Sequence, residues 1–260
     1  MAVSIDRVYQ KVLAFANKEQ RGYITPQEFN LFADQAQMEI FEQYFYDINQ
    51  WNRQHGNSTP HSDMLTNLED KVARFKRYDQ NMSNVTNIHG DVYLQSNTFN
   101  HGIYRLLSVR LRNKAGDPLY VAEEMQVGEE FFLYNSSPLT KQNQKRPIYW
   151  KRQHISGGNT SMSIRIYPKP QISDPYNSSV DGTVLISYVR TPRTPNWNYV
   201  VVNDKALYNA TTSTDFELHP SEESELVYRI LAYAGIAIEK PNLTQIAGAL
   251  GQGQIQQEKQ

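Results

Sequence analysis

From Phe29 to Ile48 the chain places Phe29, Phe32, Ala33, Ala36, Ile40, Phe41, Tyr44, Phe45 and Ile48 three and four residues apart. Over about six turns that spacing gathers every one of these side chains on one broad helical stripe, which no strand could do. The stripe is wide and aromatic, so the helix it predicts is covered on more than one side. A shorter helix is predicted ahead of it, carrying Val8, Val12, Leu13, Phe15 and Ala16. A third is predicted behind it, capped by Ser62 or Asp63 and carrying Met64, Leu65, Leu68, Val72 and Phe75.

The first two helices are joined through NKEQRGYITPQEF, Asn17 to Phe29, which also fits the register of a calcium loop. Gly22, Ile24 and Glu28 fall at the sixth, eighth and twelfth places. The ligand positions decide against calcium. The first, third and fifth places hold Asn17, Glu19 and Arg21, and a cation cannot coordinate a cation. A helical corner explains the same residues. Gly22 stops one helix, Thr25 caps the next, Pro26 is its first residue and Glu28 closes a capping box. Ile24 and Phe29 flank that cap as a hydrophobic staple. Calcium is therefore expected to leave the melting temperature unchanged.

Beyond Asn81 the helical period gives way to short β-branched and aromatic runs between turn clusters. Strands are predicted near Val92–Gln95, Tyr104–Arg112, Pro147–Gln153, Ser161–Tyr167 and Thr183–Arg190. Hairpin turns are predicted at Asn113–Asp117 and Ser156–Asn159, and a short helix within Glu123–Tyr134. A last helix is predicted after Pro220, with Glu222, Glu223 and Glu225 at its positive end and a stripe of Leu226, Val227, Ile230, Leu231, Ala234 and Ile238. The tail from Gln245 is rich in Gln and Gly, and is expected to be flexible or bound to a partner. No linker or repeat divides the chain. The expectation is one α+β domain over 1–260, with a helical part at 1–81, an antiparallel β-rich part at 82–218, a closing helix at 219–244 and a tail at 245–260.

Chemical sites are sparse. With no cysteine, thiol nucleophiles, disulfides and thiolate metal sites are excluded. The six histidines (His55, His61, His89, His101, His154 and His219) show no metal-pair spacing. There is no nucleophile elbow and no phosphate-binding glycine loop. The acidic pairs Glu123-Glu124, Glu129-Glu130 and Glu222-Glu223 are adjacent in sequence and should point apart as solvated faces. No catalytic, cofactor-binding or metal residue is expected, no cofactor, and no enzyme activity. Two basic-aromatic runs fit a phosphate backbone: Lys71, Arg74, Phe75, Lys76, Arg77 and Tyr78, read as part of the third helix, and Lys141, Lys145, Arg146, Lys151 and Arg152 around Tyr149-Trp150. A balance of 26 basic against 27 acidic residues favours ion pairing instead. No run is long and apolar enough to span a bilayer and no signal peptide opens the chain, so a soluble product made in the cytoplasm is expected. Only 39% of residues are hydrophobic while 17 are tyrosines, a composition suited to burial against neighbours.

Three passages carry a resemblance: Asp6–Phe45, Asn135–Trp150 (NSSPLTKQNQKRPIYW) and Ala206–Ile238. Together they resemble virion structural proteins of crAss-like and related short-tailed bacteriophages, of the kind that form head–tail connector rings below the portal. The resemblance implies a non-enzymatic adaptor made in the host cytoplasm and located in the virion. It implies a homo-oligomeric ring on a twelvefold portal, with the portal and neighbouring tail or ring proteins as partners. It also implies non-specific contact with DNA in the exit channel, and no membrane. Another virion role (tail tube, tail hub or capsid-associated protein) and a nucleic-acid-binding module stay open as alternatives.

Overall fold

In a computed structural model the long apolar stripe forms one continuous helix. The structure describes residues 3–17, 24–53, 59–81, 91–94, 102–112, 118–126, 128–156, 159–168, 183–203, 205–237, 245 and 247–253. The protein is α+β. It divides into two compact units, Met1–Arg74 with Pro192–Gln260, and Phe75–Thr191.

The first unit holds α1 (Ile5–Asn17), α2 (Pro26–Arg53), α3 (Thr59–Ala73) and α5 (Glu223–Ala237), the last entered through a 3-10 turn at Pro220–Glu222. Thr25 and Glu28 close the expected capping box: the Thr25 N–H donates to Glu28 Oε2 at 2.9 Å and the Glu28 N–H to Thr25 Oγ1 at 3.3 Å. Gly22 lies outside the described residues. Phe29, Ala33, Ala36, Ile40, Phe41 and Tyr44 are buried, as their spacing requires. The stripe is covered on two sides because α2 packs on both α3 and α5, and α1 also packs on α5. Two polar side chains of α2, Gln37 and Asp47, are buried with it. Gln37 is fully buried, donating to the Arg193 carbonyl at 2.7 Å and accepting from the Glu217 N–H at 3.1 Å. It thereby ties α2 to the returning chain with both amide ends satisfied.

Two helix limits differ from expectation. The third helix starts at Thr59, ahead of Ser62 and Asp63, with Pro60 in its first turn, where a missing N–H costs nothing. It stops at Ala73, and Lys76–Asn81 is strand β1, so the basic run expected on one helix is split between a helix and a strand.

The second unit contains two four-stranded sheets. One has the order β1-β8-β3-β4, with β3 at Ile103–Arg112, β4 at Tyr120–Val121 and β8 at Thr183–Arg190. The other has the order β2-β7-β6-β5, with β2 at Asp91–Leu94, β5 at Glu123–Glu124, β6 at Ile148–Ser156 and β7 at Asn159–Tyr167. Alternate residues of both sheets meet in one core of Leu106, Val109, Leu111, Tyr149, Ile164, Ile166, Val184, Ile186 and Tyr188. The β6–β7 register pairs Ser156 with Asn159, as a two-residue hairpin requires; Gly157, Gly158 and the Asn113–Asp117 turn lie outside the described residues. Within the span expected as a helix from Glu123, Glu123–Glu124 is strand and α4 occupies Gly128–Ser136. Phe131 of α4 packs 5.1 Å from the Trp150 ring and 4.6 Å from that of Tyr167.

The remaining strands belong to the first unit: β9 (Tyr199–Val202) and β10 (Lys205–Tyr208), which among the described residues pair only with each other. In the segment expected as a flexible or partner-bound tail, residues 245 and 247–253 are helical with Ala247 buried; Ile238 and the end of the tail lie outside the described residues.

Candidate functional site

Of the six histidines, His219 is the one whose side chain lies among the described residues. Its Nδ1 stands 2.9 Å from Ser221 Oγ and accepts the Ser221 N–H at 3.3 Å. That bond leaves Nδ1 without a proton. Burial, then the Arg74 and Lys71 cations, hold the ring below its usual pKa. A histidine beside a serine invites a nucleophile–base reading. The geometry here is that of a cap, in which a ring nitrogen closes the Pro220–Glu222 turn two residues on. Among the described residues no group of three His, Asp or Glu side chains could hold a metal ion.

Glu222 corrects a sequence expectation. Expected on a solvated acidic face, it is instead 1% exposed, and Glu225 is 3% exposed. Adjacent glutamates do point apart, but residues three apart on a helix meet. Lys71 donates to Glu222 Oε1 at 2.6 Å. Arg229 donates to Glu225 at 2.5 Å and to Glu39 at 2.9 Å, and also reaches Gln43. Tyr233 donates to Glu39. Burial raises the Glu225 carboxyl, Arg229 opposes that, and Glu222 adds to it. Burial, then Glu39, pushes the Tyr233 hydroxyl up to about 12. This network clamps α2, α3 and α5.

Beside it, between the C-terminal half of α2 and α3, lies a groove of about 370 Å³. Trp51, Met64 and Leu68 supply its apolar lining, Gln43, Asp47, Asn67 and Asp70 side-chain acceptors, and Lys71, His219 and Ser221 also line it.

The basic runs divide by environment. Lys71 is held by Glu222 with its ammonium 5.7 Å from the Tyr44 ring centroid, and Arg74 donates to the Leu218 carbonyl at 3.2 Å. In the second run, Lys141, Lys145 and Arg146 are exposed on the turns after α4, where Asn143 Oδ1 accepts the N–H groups of Lys145 and Arg146. Lys151 pairs with Glu124 at 2.6 Å. Tyr149 is buried, donates to Glu124 at 3.1 Å and has its pKa raised by burial and that carboxylate. Trp150 is packed against Phe131 and stacked on Tyr167. Phe75, Tyr149 and Trp150 are thus packed into the fold, whereas Tyr78 is 60% exposed next to the exposed Arg77.

The most conspicuous surface was not anticipated. The β9–β10 ribbon leaves Val200 (50%), Val201 (62%), Val202 (46%) and Leu207 (52%) exposed. Three consecutive valines alternate between faces, so both faces of the ribbon present apolar groups to water. Its base is fixed. Trp197 is 3% exposed, stacks on Tyr199 and Tyr208 at 5.8 Å each and lies 4.5 Å from the Tyr9 ring. Its indole N–H donates to Asp6 at 3.0 Å and its backbone N–H to Asn30 at 2.8 Å. The turn pairs Val202 with Lys205, and Asn203 takes the left-handed φ of 51° that a tight hairpin needs. The signal was present in YVVVNDKALY, two short apolar runs around Asn-Asp. The chain matches no protein-family model and no curated protein sequence.

Proposed function

We propose that the chain is a structural subunit of a bacteriophage virion, forming a homo-oligomeric ring in the head–tail connector below the portal and contributing to the DNA exit channel. The phage assignment rests on the resemblance of the three passages; the observation that carries the assembly is the β9–β10 ribbon. An isolated two-stranded ribbon with apolar groups on both faces is marginal in water and leaves two open backbone edges. Held rigidly at Trp197, it is pre-ordered for insertion into a neighbour, which lowers the entropy cost of binding. No catalysis is assigned: the Ser221–His219 pair acts as a turn cap, and the buried Glu222 and Glu225 are engaged with Lys71 and Arg229.

Mass photometry and electron micrographs of the purified chain test the reading. Rings or concentration-dependent oligomers are expected; a species that stays monomeric at every concentration and never binds portal or tail proteins sinks it. The exposed Lys141, Lys145 and Arg146 favour one accessory reading, electrostatic contact with DNA in the channel. Such binding would weaken steeply with salt and disappear when the three cations are neutralised.

A further inference from the structure

The ribbon and the α2–α3 groove lie on the same unit but towards opposite ends of α2. Asn30, which holds the ribbon base through Trp197, and Asp47, which lines the groove, are 17 residues apart on one helix. At about 1.5 Å per residue that is about 25 Å along the axis. Each strand of the ribbon is four residues, roughly 13 Å, so its tip cannot fill its own groove. A projection and a recess offset on one molecule make a head-to-tail contact between copies, and repetition of such a contact closes a ring.

The chemistry of the two surfaces corresponds. The ribbon tip brings aliphatic side chains together with outward backbone N–H groups that have no strand beside them among the described residues. A receptor for it needs an apolar lining with acceptors at its margin. The groove has both: Trp51, Met64 and Leu68 are apolar, and the exposed Asn67 and Asp70 carry side-chain oxygens. A second recess, between α1 and α5, is lined by Ala14, Phe15, Val227 and Tyr228, but its polar groups, Lys11 and Ser224, include no carboxylate or amide acceptor, and Lys11 is already paired with Glu223. The geometry points to the β9–β10 ribbon of one copy seated in the α2–α3 groove of a second copy of this chain, as the repeated contact of the ring.

This inference deepens the ring reading and rests on it. The absence of cysteine makes the test clean. Full-length Val201→Cys and Asn67→Cys chains are prepared separately, mixed, and treated with a short bis-maleimide. Linked dimers are expected in the mixture and from neither variant alone. Val201→Asp, at an exposed position, should keep the parent's circular dichroism and raise the concentration for half-assembly by roughly tenfold or more, as loss of an interface anchor does. Four outcomes overturn the contact: Val201→Cys linking to itself, linking to Ala14→Cys in place of Asn67→Cys, assembly that forms no linked dimer in the mixture, or assembly indifferent to Val201→Asp. In these the ring reading survives. A chain monomeric at all concentrations removes the ring reading and the contact with it.

Discussion

Glu225 is where a single side chain carries the clearest thermodynamic consequence. It is buried beside Glu222, with Arg229 donating to it from the next turn. Its pKa is raised, so burial and the second carboxylate outweigh the arginine. A carboxyl raised on folding holds more protons folded than unfolded, and its contribution to stability is complete below the unfolded pKa of about 4.3 and is lost as pH rises through the folded value. Glu225→Gln keeps the shape and cannot ionise. In urea unfolding, the stability of the variant relative to the parent should increase from pH 4 to pH 7. A relative decrease over that interval would mean that the fold favours the carboxylate. The sequence held part of this clue, since Glu222, Glu225 and Arg229 are spaced three and four apart. Nothing in it placed Lys71 of α3 against Glu222.

At the scale of elements, α2 depends on its first turn as well as on its stripe. Thr25 accepts the Glu28 N–H, and the Glu28 carboxylate accepts from the Thr25 backbone and hydroxyl, which lowers the Glu28 pKa. Thr25→Ala should cost about 1 kcal/mol in denaturant unfolding. The carboxylate contribution is present above the unfolded pKa and lost as pH falls through the folded one. An unchanged midpoint in the variant would show that tertiary packing alone sets this helix start. Helices whose apolar faces keep a long period were legible with their cores, and so were β3, β6, β7 and β8. The third helix was read too far because Phe75 continues its apolar spacing, yet Phe75 belongs to the β-rich unit, where its carbonyl accepts the Arg190 N–H at 2.9 Å. Short segments went unread for a different reason. Strands β9 and β10 have four residues each, too few for a period to stand out.

Across the whole molecule, the chain leaves the helical unit at Arg74 and returns at Pro192. The strands nearest those two points, β1 and β8, are antiparallel neighbours, with Lys76 paired to Val189, so the ends of the inserted unit come together. Replacing residues 75–191 with a short Gly-Ser linker should therefore leave the helical unit folded, with a cooperative thermal transition in its helical circular dichroism. Loss of that transition would show that the helices need the sheets to fold. No helix among the described residues is long and apolar enough to cross a membrane. The sequence by itself determined the local matters: where the long helices lie, which apolar stripe α2 buries, how α2 is capped, and that strands follow helices. These depend on periods and on contacts a few residues apart. Only the tertiary structure decided that residues 192–237 return to the helices, that Glu222 is buried against Lys71, and that an apolar ribbon is left outside the core. Each depends on partners far apart in the chain, and pattern along a sequence does not record which distant surfaces meet.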